Sequence, residues 1–172
     1  MLNGKNIRLR ALEPSDIDML YKWENDPAIW QVSNTLTPYS RFVLEQYIAN
    51  SHQDIYTAKQ LRLVIQLAKD LSCIGCIDIF DFDPRHHRAG IGVLIADEKE
   101  RQNGYATEAL QLLLDYCFKT LQLHQVYCNV SKSNTASLHL FKKHGFEITG
   151  TKKDWNRNGT GWEDEYLMQL VK

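Results

Sequence analysis

Two hydrophobic periods alternate along this chain, and together they predict a protein that mixes strands with helices. Apolar residues at every second position, or short runs rich in β-branched residues, are typical of strands. The strands predicted in this way are residues 7–12, 61–67, 73–82, 88–96, 125–130, 146–149 and 163–171. After residue 104 the period becomes helical, because apolar residues from Leu110 to Leu121 recur on one face. A helix between two strands in this order is typical of a sheet with helices packed on it.

Other helices are predicted from their start signals. These starts lie near Ser15, at residues 37–38 (Thr-Pro) and at Asn134. The second of these helices is expected to bury Phe42, Val43 and Tyr47. Residues 29–37 have no clear period and are predicted to form a loop. The expected fold class is therefore α+β (mixed α/β), with six to seven strands and about four helices.

Composition and charge exclude several classes of function. The chain has 172 residues, 44% of them hydrophobic and 24% charged, which suits one domain over residues 1–172. A formal net charge of -1 gives no overall field that would attract nucleic acid, so no nucleic-acid partner is expected. No apolar run approaches the roughly 20 residues of a membrane span, so no membrane partner is expected and the predicted location is the cytoplasm.

The cysteines do not indicate a metal site. All four lie in apolar, regular segments, where reduced cysteines pack as small hydrophobic residues. Cys73 and Cys76 have the spacing of a metal-binding or redox pair, but no second pair at zinc spacing follows them. No metal is therefore predicted.

The candidate chemistry lies where a strand gives way to a helix through a turn that contains glycine. Residues 101–107 read Arg-Gln-Asn-Gly-Tyr-Ala-Thr, and the helical stripe follows at once. The first turn of a helix presents backbone N–H groups without an intrahelical partner, and the peptide dipoles add a partial positive charge there. Gly104 lets the main chain come close to a bulky group. The segment therefore predicts a site for a phosphate or pyrophosphate.

Three segments resemble the GNAT superfamily of N-acetyltransferases. Residues 101–106 are similar to its acetyl-CoA pyrophosphate loop, Gln/Arg-x-x-Gly-x-Gly/Ala. Residues 104–109 (Gly-Tyr-Ala-Thr-Glu-Ala) resemble the form found in the branch with ribosomal-protein N-terminal and spermidine N-acetyltransferases. Residues 134–146 are similar to the element Asn-x-x-Ala/Ser-x-x-x-Tyr-x-x-x-Gly-Phe, and residues 88–92 to the strand Arg-Ala-Glu-Ile-Gly. The resemblance covers essentially the whole chain.

The resemblance implies a GNAT fold, with a mixed sheet splayed open between residues 90–96 and 125–130 and acetyl-CoA, as co-substrate, in the opening. The implied cofactor-binding residues are Val93, Leu94, Ile95, Arg101, Gln102, Asn103, Gly104, Tyr105, Ala106, Thr107, Asn134, Ser137, Phe141 and Lys143. Pantetheine would pair with the main chain of residues 93–95, and the pyrophosphate with the N–H groups of residues 102–107. Lys132 is an alternative to Lys143 at the adenosine phosphate.

Acetyl transfer to an amine needs a proton acceptor, a donor to the carbonyl oxygen and a proton for the leaving thiolate. The candidates for the base are Asp78, Asp81, Asp83, His86 and His87. Asp78 is the preferred base or substrate anchor, because its apolar neighbours favour a carboxylate that can accept a proton. The backbone N–H of Leu94 is the expected donor to the oxygen. Phe141 stands where many GNAT enzymes carry the tyrosine that protonates the thiolate, and Gly90 stands where they carry a glutamate. Tyr105 and Tyr127 are open substitutes for the missing acid.

The predicted function is acetyl-CoA-dependent transfer of an acetyl group to a primary amine, by direct attack in a ternary complex. The acceptor is open between a small-molecule amine, a polyamine, an amino sugar and a peptide N-terminus. Residues 33–36 contain no carboxylate, which does not favour a polyamine, since the resembled spermidine enzymes carry acidic residues there. The alternative function is a catalytically silent acyl-CoA-binding or sensor domain, because Phe141 and Gly90 replace catalytic groups. A homodimer is one assembly that the sequence allows.

Overall fold

One mixed sheet organises the protein in the computed structural model, which describes residues 1–33 and 35–172. Its eight strands, counted over those residues, are β1 (Leu2–Asn3), β2 (Ile7–Ala11), β3 (Leu61–Leu67), β4 (Cys73–Asp83), β5 (Arg88–Ile95), β6 (Gln125–Ser131), β7 (Glu147–Asn158) and β8 (Gly161–Val171). The α-helices found there are α1 (Ile17–Glu24), α2 (Pro27–Ser33), α3 (Arg41–Ala49), α4 (Ile55–Ala58), α5 (Tyr105–Asp115) and α6 (Thr135–Lys143). The strand order is β1-β2-β3-β4-β5-β6-β8-β7. The predicted fold class is confirmed, and the two-residue β1 raises the strand number to eight.

The sheet opens between β5 and β6. These two strands are parallel and pair at three positions, of which Gly90 with Tyr127 is the last. Beyond Gly90, β5 continues beside β4 as far as Ile95, whereas β6 continues beside β8 as far as Ser131. The two strands therefore diverge from Gly90 onward, as the splayed sheet requires.

The main core lies between the sheet and α5. Ile77 and Ile79 of β4 and Leu110 and Leu113 of α5 are fully buried. Burying an aliphatic side chain of this size contributes about 1.5 to 3 kcal/mol to stability. Helix α5 continues as a π-helical turn over Tyr116–Thr120, so the helix predicted after residue 104 is confirmed almost to its end. This packing fixes the start of α5 at the mouth of the opening.

Helix α3 corrects one sequence prediction. It begins at Arg41, not at residues 37–38, and the Ser40 Oγ accepts a hydrogen bond from the Val43 N–H at 3.2 Å. Its buried residues are Leu44 and Ile48, which pack with Leu20 of α1. The predicted stripe was right for Tyr47, which packs against this cluster, and wrong for Phe42 and Val43, which are 66% and 48% exposed. The buried residues of the helix, Leu44 and Ile48, lie four positions apart and so share one face.

Helix α2 corrects a second prediction, since Pro27–Ser33 is helical where a loop was expected. Proline at the first position starts this helix as well as ending the one before it. The Asp26 carboxylate accepts from the Ala28 N–H at 2.9 Å, and the Trp30 indole N–H donates to the Glu24 carbonyl at 2.7 Å. The start of this helix is thus capped by the residue before the proline.

The closing hairpin is longer than expected. Strand β7 was predicted to end at residue 149 but runs to Asn158, paired with β8. Its register is irregular between Lys152 and Asn156, where Asp154 has a positive φ of 47°. Such a bulge hides the strand from a search for strict alternation.

Among the helices of the described residues, none has both the length and the apolar character needed to cross a membrane.

Candidate active site

The main chain of β5 offers polar groups to the opening at alternate residues. The Ala96 N–H donates to the Ile74 carbonyl at 2.8 Å, and main-chain groups in an antiparallel pair alternate in direction. Leu94 lies two residues earlier and pairs with Cys76, so its main-chain N–H and carbonyl groups also point toward β4. Val93 and Ile95 turn their main-chain groups toward the opening. In agreement, the Ile95 carbonyl accepts a hydrogen bond from the Arg101 Nε at 3.0 Å.

This alternation corrects the expected role of Leu94. Its N–H was expected to donate to the acetyl oxygen, but it is directed toward β4 and away from the opening. The Val93 N–H faces the opening and takes its place as the candidate donor. A strand pattern in sequence does not reveal which residues pair with which neighbour, so the choice between adjacent amides needed the structure.

The turn before α5 presents a row of unused N–H groups. From Gln102 to Thr107, no backbone N–H has an acceptor within the part of the chain that the structure describes. The next N–H on each side is bonded, that of Arg101 to Glu98 O at 3.2 Å and that of Glu108 to Gly104 O at 3.1 Å. The positive end of the α5 dipole adds to these donors. The row can therefore bind an anionic group of diphosphate size.

Gly104 keeps the space above this row open. It is the N-cap residue of α5 and has a φ of 83°, a conformation that favours glycine. A Cβ built on it would meet nothing within 4 Å. The space beside Gly104 at the start of α5 is therefore open.

The polar side chains of the turn mainly brace it. Besides the Ile95 carbonyl, the Arg101 guanidinium contacts the Glu98 carboxylate at 3.2 Å. The Asn103 side-chain amide donates to the Glu100 carboxylate, also at 3.2 Å. The charge expected from Arg101 is thus partly matched by Glu98, and the anion site rests on backbone groups.

Helix α6 brings the second set of predicted residues to the same end of the sheet. The Asn134 Oδ1 caps α6 by accepting from the Ser137 N–H at 3.1 Å. Its Nδ2 donates to no residue in the described ranges, so it is available to a ligand. Lys143 lies exposed at the end of α6, and Lys132 lies 3.9 Å from the Asp164 carboxylate.

Phe141 is mainly a core residue. Its side chain is 4% exposed and packs edge-on against Phe146, with ring centroids 5.0 Å apart. A phenyl ring has no proton to donate, so the proton for the thiolate must come from elsewhere. The contact with the cofactor that the resemblance implies is restricted to its small exposed part.

Asp78 belongs to an ion cluster that joins β3 and β4 to α1. Its two oxygens accept from the Arg62 Nε at 2.8 Å and Nη2 at 3.1 Å, and the remaining Arg62 nitrogen pairs with Glu24. The Arg62 guanidinium also lies over the Tyr47 ring, 5.8 Å from its centroid. Burial alone would lower the pKa of Arg62, but the charge and hydrogen bonds of the Asp78 carboxylate outweigh burial and raise it. Two carboxylates against one guanidinium leave a net charge of -1.

The geometry of Asp78 favours one of its two expected roles. Both carboxylate oxygens already accept from Arg62, so Asp78 would have to give up a charge-assisted bond before it could take a proton. The apolar surroundings expected from sequence are replaced by this ion pair. A substrate anchor acting through the charge of the cluster fits better than a base.

The narrow end of the opening explains one departure from the family pattern. Gly90 pairs with Phe80, and a Cβ on Gly90 would lie 2.2 Å from the Phe80 ring. Phe80 therefore occupies the space in which a glutamate would begin. Tyr127 packs against the same ring and donates its hydroxyl to Asp81 at 3.1 Å. Burial, together with the Asp81 carboxylate, raises the pKa of Tyr127 to about 12.

Sequence reasoning missed two residues that hold the first turn of α5. The Glu108 carboxylate accepts hydrogen bonds from the backbone N–H and the side-chain amide of Asn6. The His144 Nε2 lies 3.1 Å from the Thr107 carbonyl oxygen, and its Nδ1 lies 2.9 Å from that of Leu140. These partners are distant in sequence, so no local pattern pointed to them.

Within residues 1–33 and 35–172, no group of three or more His, Cys, Asp or Glu side chains is placed to hold a metal ion.

Comparison with known proteins identifies the family. Residues 6–147 match the family described as Acetyltransferase (GNAT) domain. A spermidine N(1)-acetyltransferase of Escherichia coli (strain K12) is 27% identical over 150 residues, 87% of this chain and 77% of its own length. It is one of several relatives named as N-acetyltransferases.

Solved structures share the fold. The crystal structure of spermidine N-acetyltransferase from Vibrio cholerae in complex with CoA and spermine has a TM-score of 0.87 at 24% identity, covering 98% of this chain and 96% of that one. A dodecameric structure of spermidine N-acetyltransferase from Vibrio cholerae has a TM-score of 0.80 at 24% identity, covering 98% and 95%.

The match to the family covers most of the chain and includes the opening of the sheet and the turn of free N–H groups. The relatives are named as transferases, so the catalytically silent alternative has no support. The chain belongs to the GNAT acetyltransferase family and is an acetyl-CoA-dependent N-acetyltransferase.

Proposed function

We propose that this enzyme holds the pyrophosphate of acetyl-CoA on the N–H groups of residues 102–107 and transfers the acetyl group to a primary amine of an aliphatic polyamine. The observation that carries the cofactor site is the row of unused N–H groups beside the opening. Val93 and Ile95 supply main-chain partners for the pantetheine arm, and Asn134 supplies its free Nδ2. The solved neighbour described with CoA and spermine supports both ligands.

The residues of the opening suit direct transfer. The amine must arrive neutral, because its lone pair forms the new C–N bond while the C–S bond breaks. In this proposal the Val93 N–H stabilises the negative charge that develops on the carbonyl oxygen. Phe141 has no proton, and the Tyr127 hydroxyl is engaged by Asp81. Water, or the proton released by the attacking nitrogen, therefore protonates the thiolate.

The acceptor is inferred from charge. The cluster of Glu24, Arg62 and Asp78 carries -1, and Asp81, bonded to the neutral Tyr127, adds a further negative charge on β4. A surface with excess negative charge attracts an acceptor that carries several ammonium groups. The sequence did not favour a polyamine because residues 33–36 lack a carboxylate. Residue 34 lies outside the described residues, and we place the anchoring charge on α1 and β4 instead.

Steady-state kinetics with matched amines tests this proposal. Spermidine, butylamine, glucosamine and a short peptide with a free N-terminus are compared, and spermidine should have the highest kcat/KM. In Asp78→Asn, the KM for spermidine should rise about tenfold, the effect of losing roughly 1.4 kcal/mol. The KM for acetyl-CoA should not change. Asp115→Asn, which removes a half-exposed carboxylate of α5 that pairs with Lys119, is the control.

Two results would contradict the polyamine assignment. One is higher kcat/KM for the peptide or the sugar than for spermidine. The other is an equal loss for spermidine and butylamine in Asp78→Asn, because an anchor that works through charge must matter more for the acceptor with more charges.

We also propose that the enzyme forms homo-oligomers and works in the cytoplasm. The dodecameric neighbour supports assembly. The four cysteines are free thiols, which suits a reducing compartment. Light scattering coupled to size-exclusion chromatography measures the assembly, and a monomer at all concentrations would contradict it.

A further inference from the structure

We propose that Glu108 is a positioning residue for the coenzyme, which holds the first turn of α5 in place so that its N–H groups stay open to the diphosphate. The inference rests on the proposed cofactor site. It assigns a role to a side chain that points away from the ligand and toward the N-terminal segment of the chain.

The contacts of Glu108 join α5 to the turn between β1 and β2. Its Oε1 accepts from the Asn6 N–H at 2.8 Å and from the Ile7 N–H at 3.4 Å, and its Oε2 accepts from the Asn6 Nδ2 at 2.9 Å. The Gly4 N–H donates to the Ile7 carbonyl at 2.9 Å and closes the same turn. A carboxylate with donors at both oxygens fixes its helix more firmly than a single bond would.

Gly4 makes this approach feasible. A Cβ on Gly4 would lie 2.1 Å from the Glu108 Oε1 and 3.1 Å from the Ile7 carbonyl oxygen. Only a residue without a side chain lets the turn come this close to the carboxylate. The contact can therefore be disturbed from either partner, from α5 or from the turn.

The direction of the Glu108 side chain matters for the anion site. A carboxylate in the first turn of a helix is attracted to the same N–H groups and dipole that bind an anionic ligand. Asn6 and Ile7 bind this carboxylate elsewhere, and the N–H groups of residues 102–107 remain unused. Burial would raise the pKa of Glu108, but the hydrogen bonds from Asn6 and Ile7 lower it, so the side chain is ionised at neutral pH.

A positioning role and a purely structural role predict different measurements. If Glu108 only stabilised the fold, its loss would lower the melting temperature and leave the affinity for CoA unchanged. If it positions the turn, its loss raises the Kd of CoA and the KM of acetyl-CoA, because the N–H groups no longer converge. The KM of the amine should not change in either case, since the acceptor cluster lies elsewhere.

The experiment compares Glu108→Ala, Glu108→Gln and Gly4→Ala with wild type, and includes Gly104→Val as the variant that should lose CoA binding. Calorimetry with CoA and steady-state kinetics should show Kd and KM for acetyl-CoA raised about tenfold in Glu108→Ala, as expected for lost bonds to a charged group. Gly4→Ala should show a rise of similar size without any change in α5. Glu108→Gln, which keeps one acceptor oxygen, should restore part of the affinity. Asp115→Asn changes the charge of the same helix and should behave as wild type.

The outcomes separate this inference from the proposed function. If wild type does not bind CoA, the cofactor site itself is wrong. If wild type binds CoA and Gly104→Val does not, but Glu108→Ala and Gly4→Ala retain the wild-type Kd, the positioning role is refuted. That conclusion holds whatever happens to their melting temperatures.

Discussion

Substitution of Gly104 by alanine gives the sharpest test of the anion site, because the chain contains a matched control. Gly104 and Gly159 both have positive φ, 83° and 59°, and a Cβ on either would meet nothing within 4 Å. Gly104 is the N-cap of α5 and lies among the unused N–H groups, whereas Gly159 lies in the turn between β7 and β8. The two substitutions therefore impose the same kind of backbone cost, but only one adds an atom in the proposed site.

The two effects can be estimated separately. A residue with a Cβ in the left-handed region costs about 1 to 2 kcal/mol, so both variants should lose similar stability. For a protein of this size that loss lowers the melting temperature by about 2 to 8 °C. In Gly104→Ala the new methyl group also keeps a diphosphate from one of its charge-assisted bonds. That loss is about 2 to 3 kcal/mol, or roughly 30- to 150-fold in the Kd of CoA.

Thermal denaturation and titration calorimetry with CoA measure the two effects. We expect a similar fall in melting temperature for both variants and a raised Kd for Gly104→Ala alone. Wild-type affinity in both variants would show that residues 102–107 do not hold the diphosphate. A raised Kd in both would show that affinity follows stability and not the site.

Two further predictions concern buried groups. Asp16 is 5% exposed, and its carboxylate accepts hydrogen bonds from the Arg10 guanidinium at 2.7 and 2.8 Å. Burial opposes ionisation of this carboxylate, but the hydrogen bonds from Arg10 and the Glu13 N–H lower the pKa of Asp16 below its usual value of 3.8. The contribution of Asp16 to stability is therefore present above about pH 4 and lost as the pH falls through the lowered pKa. The free energy of unfolding in urea should therefore depend less on pH below about 4 in Asp16→Asn than in wild type. An equal pH dependence in the two proteins would contradict this prediction. Phe141→Tyr adds a hydroxyl to a buried ring, so it should lower the free energy of unfolding by about 1 to 3 kcal/mol and should not raise kcat. A higher kcat would show that the hydroxyl reaches the opening and that thiolate departure limits the rate.

The sequence was sufficient for the elements whose signal is local. The stripe from Leu110 to Leu121 predicted α5, and alternation predicted most of the strands, because burial on one face imposes a period on the chain. Gly104 and the residues around it predicted an anion site at the start of α5, and the unused N–H groups of residues 102–107 are what such a site requires. Helix α2 and the length of β7 were missed because a proline start and a bulge disturb those periods.

The tertiary structure decided which distant residues each site residue contacts. The register with β4 turned the amide of Leu94 away from the opening and that of Val93 toward it. Arg62 changed Asp78 from a candidate base into a member of an ion cluster, and Asn6 engaged Glu108 from across the fold. Each of these outcomes depends on which distant residue arrives at a given side chain. The pattern of one segment records how deeply its residues are buried, but not what they meet there.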